Sequence, residues 1–134
     1  MEAITLIKDA IHRPDEPRHF MELSHPEGRF VVKAGETVIA STERVMKLSE
    51  VGYHIYEPVL YFPVEDCDME NLVQIEKTTH CPLKGDTNYY DLQKSTARAA
   101  ISEIGWRYTK PLEFAAALEG YIAFDPQLTE IERG

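Results

Sequence analysis

The chain contains few cysteines and few basic residues. Of its 134 residues only Cys67 and Cys81 are cysteines, and they do not form a C-x-x-C pair. Two separated cysteines exclude a disulfide framework. The 14 lysines and arginines face 23 aspartates and glutamates, which gives a net charge of −9. Since nucleic acids and anionic membrane surfaces bind clustered basic side chains, we predict neither as a partner.

Long apolar runs and nucleotide-binding glycine motifs are also missing. No segment approaches the roughly 20 apolar residues of a membrane-spanning helix. The first residues lack the basic and apolar regions of a signal peptide, so we expect a cytoplasmic protein. Neither a P-loop nor a dinucleotide-binding fingerprint is present, which disfavours the folds that use them. A chain of this length suits one domain that needs no metal or disulfide to fold.

Short β-type segments dominate the chain from residue 19 onward. Residues 29–33 and 37–40 are predicted to form a hairpin, because a short connection containing Gly35 joins two β-rich runs. Residues 1–18, interrupted by Pro14 and Pro17, are predicted to be an N-terminal appendage with a helical turn within residues 4–11. Further strands are predicted at 20–23, 45–48, 58–63, 72–76, 89–93, 104–108 and 121–124, and short helices at 65–70 and 111–120. The pattern predicts one small, mainly antiparallel β domain over residues 19–134.

Residues 77–90, KTTHCPLKGDTNYY, concentrate reactive side chains around a Pro and a Gly, and we predict a turn at residues 82–85. The thiol of Cys81 lies beside His80 and near Lys84, which could support thiolate chemistry. The alternative is an inert, partly buried thiol. The soft ligands His54, Cys67, His80 and Cys81 lack the close pairs of a zinc site, so no metal and no cofactor are predicted.

A small-ligand pocket is the first functional hypothesis. Tyr and Trp line pockets well because each joins an apolar ring to a polar group. The predicted ligand-binding residues are Tyr61, His80, Cys81, Lys84, Asp86, Tyr89 and Trp106, and the ligand would be small and polar or anionic.

Two other functions stay open at this point. One is an enzyme in which His80, Cys81 and Lys84 work with a carboxylate of Glu65, Asp66 or Asp86. The other is a structural or protein-interaction module, with a homodimer formed through residues 1–18 and an edge strand. In a purely structural reading, Lys84 pairs with Glu65 or Asp66, and Asp86 caps the turn.

Four motifs occur in order along the chain. The segments LYFPVED at 60–66, TTHCPLKGDTNYY at 78–90, WRYTKP at 106–111 and EGYIAFD at 119–125 resemble the signatures of the bacterial domain-of-unknown-function family 427. The resemblance runs over roughly residues 19–133. Leu83 and Asp125 depart from it, because the family usually has an aromatic residue or histidine at the first position and tyrosine at the second.

The resemblance implies a fold and no activity. It implies a small antiparallel β domain akin to the β-tent of Mss4-like and cereblon-type domains. Those relatives often hold zinc on two C-x-x-C pairs, which this chain lacks, so the resemblance carries no metal site over. The family is sometimes labelled nucleotidyltransferase-like, but the chain has no G-S motif followed by D-x-D.

Overall fold

The chain is mainly β in its computed structural model, which describes residues 10–52 and 54–134. This confirms the predicted fold class. The strands of the described residues are β1 Ile11–Arg13, β2 Glu16–Ser24, β3 Phe30–Ala34, β4 Thr37–Thr42, β5 Met46–Val51, β6 Val59–Pro63, β7 Leu72–Cys81, β8 Gly85–Leu92, β9 Ile101–Arg107, β10 Tyr121–Phe124 and β11 Glu130–Arg133. Three 3-10 turns accompany them, at Val64–Asp66, Met69–Asn71 and Glu113–Leu118.

The strands form two antiparallel sheets. The larger has eight strands in the order β1-β2-β5-β6-β10-β9-β8-β7, and the smaller has three in the order β11-β3-β4. Strands β3 and β4 form the predicted hairpin, with Ala34 paired to Thr37 at its turn. Consecutive strands are often neighbours, as expected where short connections join antiparallel strands.

Two apolar cores lie against the larger sheet. The first includes residues of both sheets, with Val32 and Ile39 from the smaller one and Phe62, Ile122 and Phe124 from the larger one. It is the usual consequence of packing two half-apolar sheets face to face.

The second core lies within the larger sheet and contains Met21, Leu48, Tyr61, Tyr108 and Leu118. Met21, Leu48 and Tyr61 come from β2, β5 and β6, and Leu118 comes from the turn at Glu113–Leu118. Leu83, in the connection between β7 and β8, belongs to the same core. The sheet therefore curls over this core and brings the β2–β5 half close to the connection between β7 and β8.

Several local predictions differ from the structure. Strand β7 extends to Cys81, beyond the strand predicted at residues 72–76, whereas the turn predicted at residues 82–85 is present at residues 82–84. Both predicted helices are 3-10 turns. In the longer one, Ala115 has φ −115° and ψ 24°, which interrupts helical geometry while Ala115 and Leu118 are buried. Packing against the second core outweighs the helix propensity of the alanines there.

The predicted N-terminal appendage lies only partly within the described residues. Residues 1–9, and with them most of the predicted helical turn, are outside the described part of the chain. Ile11–Arg13 and the first residues of β2 are paired strands of the larger sheet. The division of the chain at residue 18 and the relation to β-tent domains stay predictions. No helix among the described residues combines the length and apolarity needed to cross a lipid bilayer.

Candidate functional site

A chain of hydrogen-bonded side chains, largely shielded from solvent, joins β2, β5 and the β7–β8 connection. The Nζ of Lys84 donates to Oε1 of Glu50 at 2.5 Å. The Nε2 of His19 lies 2.7 Å from Oε2 of the same carboxylate. The side chains of Lys84 and Glu50 are each 11% exposed and that of His19 is 24% exposed. One carboxylate thus holds two cationic or hydrogen-bonding partners away from bulk water.

Strand alternation directs Glu50 and His19 toward the second core. In β5, Met46 and Leu48 are buried, and Glu50 is the next residue on that face. In β2, His19 has the same relation to Met21, which is directly opposite Glu50. Since diagonal neighbours on one sheet face are within reach of long side chains, the pairing brings His19 to Glu50.

A tight backbone path positions Lys84. Gly85 has φ +111°, a conformation that favours glycine. A Cβ built on Gly85 would lie 3.1 Å from the backbone nitrogen of Leu112, and that nitrogen donates to the Lys84 carbonyl at 3.0 Å. The Lys-Gly dipeptide is therefore held against the segment before the 3-10 turn at Glu113–Leu118, with the amine directed inward.

The surroundings keep Lys84 and Glu50 ionised. Burial opposes the Lys84 charge, but the oxygens of Tyr108 and Tyr61 and the Glu50 carboxylate raise the pKa of Lys84 above its ordinary value. Burial also opposes the Glu50 charge, yet Lys84 and the hydrogen bond from His19 lower the pKa of Glu50. Burial raises the pKa of both Tyr61 and Tyr108, so their phenols stay neutral.

Two open hollows flank this network, and both include Glu50 and Tyr56. The arginine hollow has a volume of about 800 Å³ and is lined by Arg13, Asp15, Glu16, Arg18, His19, Glu50, Gly52, Tyr56, His80, Cys81, Pro82 and Leu83. The tryptophan hollow has a volume of about 420 Å³ and is lined by Leu48, Glu50, Tyr56, Glu57, Val59, Tyr61, Lys84, Trp106 and Tyr108.

The tryptophan hollow contains three of the sequence-predicted residues. Tyr61, Lys84 and Trp106 line it, and the indole Nε1 of Trp106 lies 3.4 Å from the Tyr61 hydroxyl. Tyr108 also lines this hollow, although it was not among the ligand-binding residues predicted from the sequence. Its ring centroid lies 5.5 Å from the Nζ of Lys84. An amine, an indole and two phenols therefore meet around one opening.

The other sequence-predicted residues lie elsewhere. His80 and Cys81 line the arginine hollow. The Nδ1 of His80 lies 2.8 Å from Oδ1 of Asp86, and both side chains are largely exposed. Tyr89 bonds Thr79 through its hydroxyl and lines neither hollow.

The predicted pairing of Lys84 with Glu65 or Asp66 was wrong. Lys84 pairs with Glu50, whereas Glu65 and Asp66 both pair with Arg44. The reason is that the curled sheet brings β5, and not the turn after β6, to the Lys84 amine.

Sequence reasoning missed Glu50 and His19. Neither belongs to a motif, and both come from segments far from residues 77–90. One signal was present for Glu50, because a carboxylate at the third position of the alternating Met46-x-Leu48-x-Glu50 series falls on the apolar face of a strand. A charge in that position needs a buried partner.

The comparison with known families confirms the resemblance. A family model described as "Domain of unknown function (DUF427)" matches residues 22–133. The chain belongs to this family. Glu50, Lys84 and Trp106 lie inside the DUF427 match, whereas His19 precedes it. No curated protein was found that matches the chain.

Proposed function

We propose that the chain binds a small polar molecule in the tryptophan hollow. The observation that carries this proposal is the convergence of Trp106, Tyr61 and Tyr108 beside the buried Lys84–Glu50 pair at one opening. Small-molecule sites combine apolar or aromatic walls with a few fixed polar groups. Here the Lys84–Glu50 pair is held in place by its own bond, so its geometry is set before a ligand arrives.

The charges support a neutral polar ligand better than a strongly anionic one. Glu50 already balances Lys84 at 2.5 Å, and Glu57 adds a second carboxylate to the lining. A dianion would meet this acidic rim in a protein whose net charge is −9. A flat molecule with hydrogen-bonding edges fits the aromatic walls and the polar floor.

Two free thiols support the cytoplasmic location that we propose for this binding activity. Cys67 and Cys81 are both unpaired, which suits a reducing compartment.

A fluorescence screen tests the proposal directly, because Trp106 is the single tryptophan of the chain. Nucleosides, sugars, small carboxylates and amides would be added to the purified protein while tryptophan emission and thermal unfolding are followed. We expect at least one compound class to change the emission and raise the melting temperature. A ligand at 100 times its dissociation constant stabilises the folded state by about 2.7 kcal/mol.

Two neighbouring loop residues provide a matched pair of variants. Tyr56 lines the hollow and is 39% exposed, whereas Ile55 is 82% exposed and lines neither hollow. We expect Tyr56→Ala to weaken the affinity for the compound found in the screen at least about tenfold, a loss comparable to one base–aromatic stack. Ile55→Ala should leave this affinity unchanged. If no compound changes the emission, or if both variants bind equally, the proposal is wrong.

A further inference from the structure

We propose that His19, Glu50 and Cys81 form a zinc-binding site at the floor of the arginine hollow. Each residue offers one ligand atom, and the three atoms all lie within 4.8 Å of one another. They come from β2, β5 and the end of β7, so they form no sequence motif with a fixed spacing. This site goes beyond the proposed binding in the tryptophan hollow.

The donor set is one that zinc prefers. A histidine nitrogen, a cysteine thiolate and a carboxylate oxygen are its three common protein ligand types. Sites with three protein ligands leave a fourth position for water or a substrate. The residues that line the arginine hollow include all three candidates, so a metal held by them would border an open space of about 800 Å³.

The surrounding hydrogen bonds fit a ligand carboxylate. Lys84 bonds Oε1 of Glu50, which leaves Oε2 directed at His19. Ligating carboxylates are commonly fixed by a hydrogen bond to the oxygen that does not bind the metal. The Lys84 amine therefore serves as the positioning partner of the Glu50 ligand.

Metal binding requires only a small adjustment of the His19 and Glu50 side chains. The Nε2 of His19 and Oε2 of Glu50 are 2.7 Å apart, a hydrogen-bond distance. Two ligands of a tetrahedral zinc ion lie about 3.3 Å apart when each bond is about 2.0–2.2 Å long. A small side-chain rotation opens the pair and admits the ion in place of the shared proton.

Charge defines what the open position would take. A zinc ion, the Cys81 thiolate, the Glu50 carboxylate and the Lys84 ammonium together carry one positive charge. The arginines of the hollow are matched by acidic neighbours, with Arg13 3.3 Å from Asp15 and Arg18 3.1 Å from Glu16. The open position thus favours hydroxide or another small monoanion.

Cobalt titration of the untagged, reduced protein is the decisive experiment. Co²⁺ replaces Zn²⁺ and gives a thiolate-to-cobalt charge-transfer band only if a cysteine binds it. We expect this band, together with the strong visible absorption of a tetrahedral site, to vanish on addition of Zn²⁺. Absence of the charge-transfer band would overturn the proposal.

Four variants locate the site. Cys81→Ser should abolish the charge-transfer band, and both Cys81→Ser and His19→Ala should weaken Zn²⁺ binding by at least about 100-fold, since loss of an outer-shell partner already costs 10- to 100-fold. Cys67→Ser and His80→Ala are the matched controls and should bind as the parent protein does. Burial raises the pKa of the Cys67 thiol to about 12, and His80 is bonded to Asp86.

The outcomes separate the two proposals. If Cys81→Ser or His19→Ala binds Zn²⁺ as tightly as the parent protein, the proposed site is wrong. Circular dichroism confirms that each variant is folded. The Trp106 emission screen of the tryptophan hollow uses metal-free protein, so either proposal can fail while the other stands.

Discussion

At the residue scale, the Lys84–Glu50 pair is a charged pair that is almost fully shielded from solvent. Removing two charges from water costs several kcal/mol for each ion, and their attraction repays this only when geometry and further hydrogen bonds are good. Glu50 meets that requirement because His19 occupies its second oxygen. The pair therefore fixes the positions of its two side chains more than it stabilises the folded state.

Substituting one member of this pair has a predictable cost. We expect Lys84→Met to lower the free energy of unfolding by about 3 kcal/mol, the lower end of the range for breaking a buried pair, because His19 remains beside Glu50. The double variant Lys84→Met with Glu50→Leu should recover most of that loss. Urea denaturation followed by Trp106 fluorescence provides the measurement.

An exposed lysine on the same sheet is the control for this prediction. Lys77 pairs with Glu103 at 2.6 Å, but both side chains are nearly half exposed. Exposed ion pairs contribute about 0.2–1 kcal/mol, so Lys77→Met should change stability by less than about 1 kcal/mol. Equal losses for the two lysine variants would contradict the assignment of Lys84 to a buried network.

At the element scale, a strand could be predicted from its local sequence when one of its faces is apolar. The β3–β4 hairpin and the core strand β6 were predictable because branched and aromatic residues fill them between Gly or Pro boundaries. The end of β7 was not, since Lys77 to His80 are exposed on both faces of an edge strand. Their strand conformation comes from pairing with β8, which local patterning does not encode.

The candidate site was predictable only in part, because some of its residues are brought together by the whole sheet and not by local sequence. Tyr61, Lys84 and Trp106 could be chosen from their chemistry, and the structure places all three around the tryptophan hollow. Glu50 and His19 join Lys84 through sheet curvature and the β2–β5 register, which depend on the whole sheet.

Gly105 in β9 allows a test of how closely two strands must approach. A Cβ built at this position would lie 2.8 Å from the carbonyl oxygen of Ala123 and 3.3 Å from the ring of Phe124. We expect Gly105→Ala to destabilise the fold by about 1–3 kcal/mol, the usual cost of overpacking. Because Trp106 is paired with Ala123, its emission should also shift in the folded variant.

Gly134 is the matched control for this substitution. A Cβ there would have its nearest neighbour at 3.9 Å, an ordinary contact distance. Gly134→Ala should therefore leave stability within about 0.5 kcal/mol of the parent, as surface substitutions usually do. A Gly105→Ala variant as stable as Gly134→Ala would mean that β9 and β10 can separate freely.

At the scale of the whole molecule, curvature of the larger sheet brings its two edges together. Its ends, β1 and β7, approach each other across the second core, where Nη1 of Arg13 lies 3.5 Å from the Pro82 carbonyl oxygen. Both proposed sites lie along this closure. A homodimer through an edge strand stays a prediction, and the exposed side chains of β7 give it a surface to test.

Strand β1 offers a test of whether residues before 19 belong to the domain or only precede it. Ile11 packs against the second core, and the guanidinium of Arg13 lies 5.7 Å from the ring centroid of Phe114. A chain that starts at residue 16 loses these contacts, whereas one that starts at residue 11 keeps them. We expect the shorter chain to be less stable by at least about 1 kcal/mol, because a half-buried isoleucine contributes about that much. Urea denaturation of both chains measures the difference, and equal free energies of unfolding would instead support a domain boundary at residue 18.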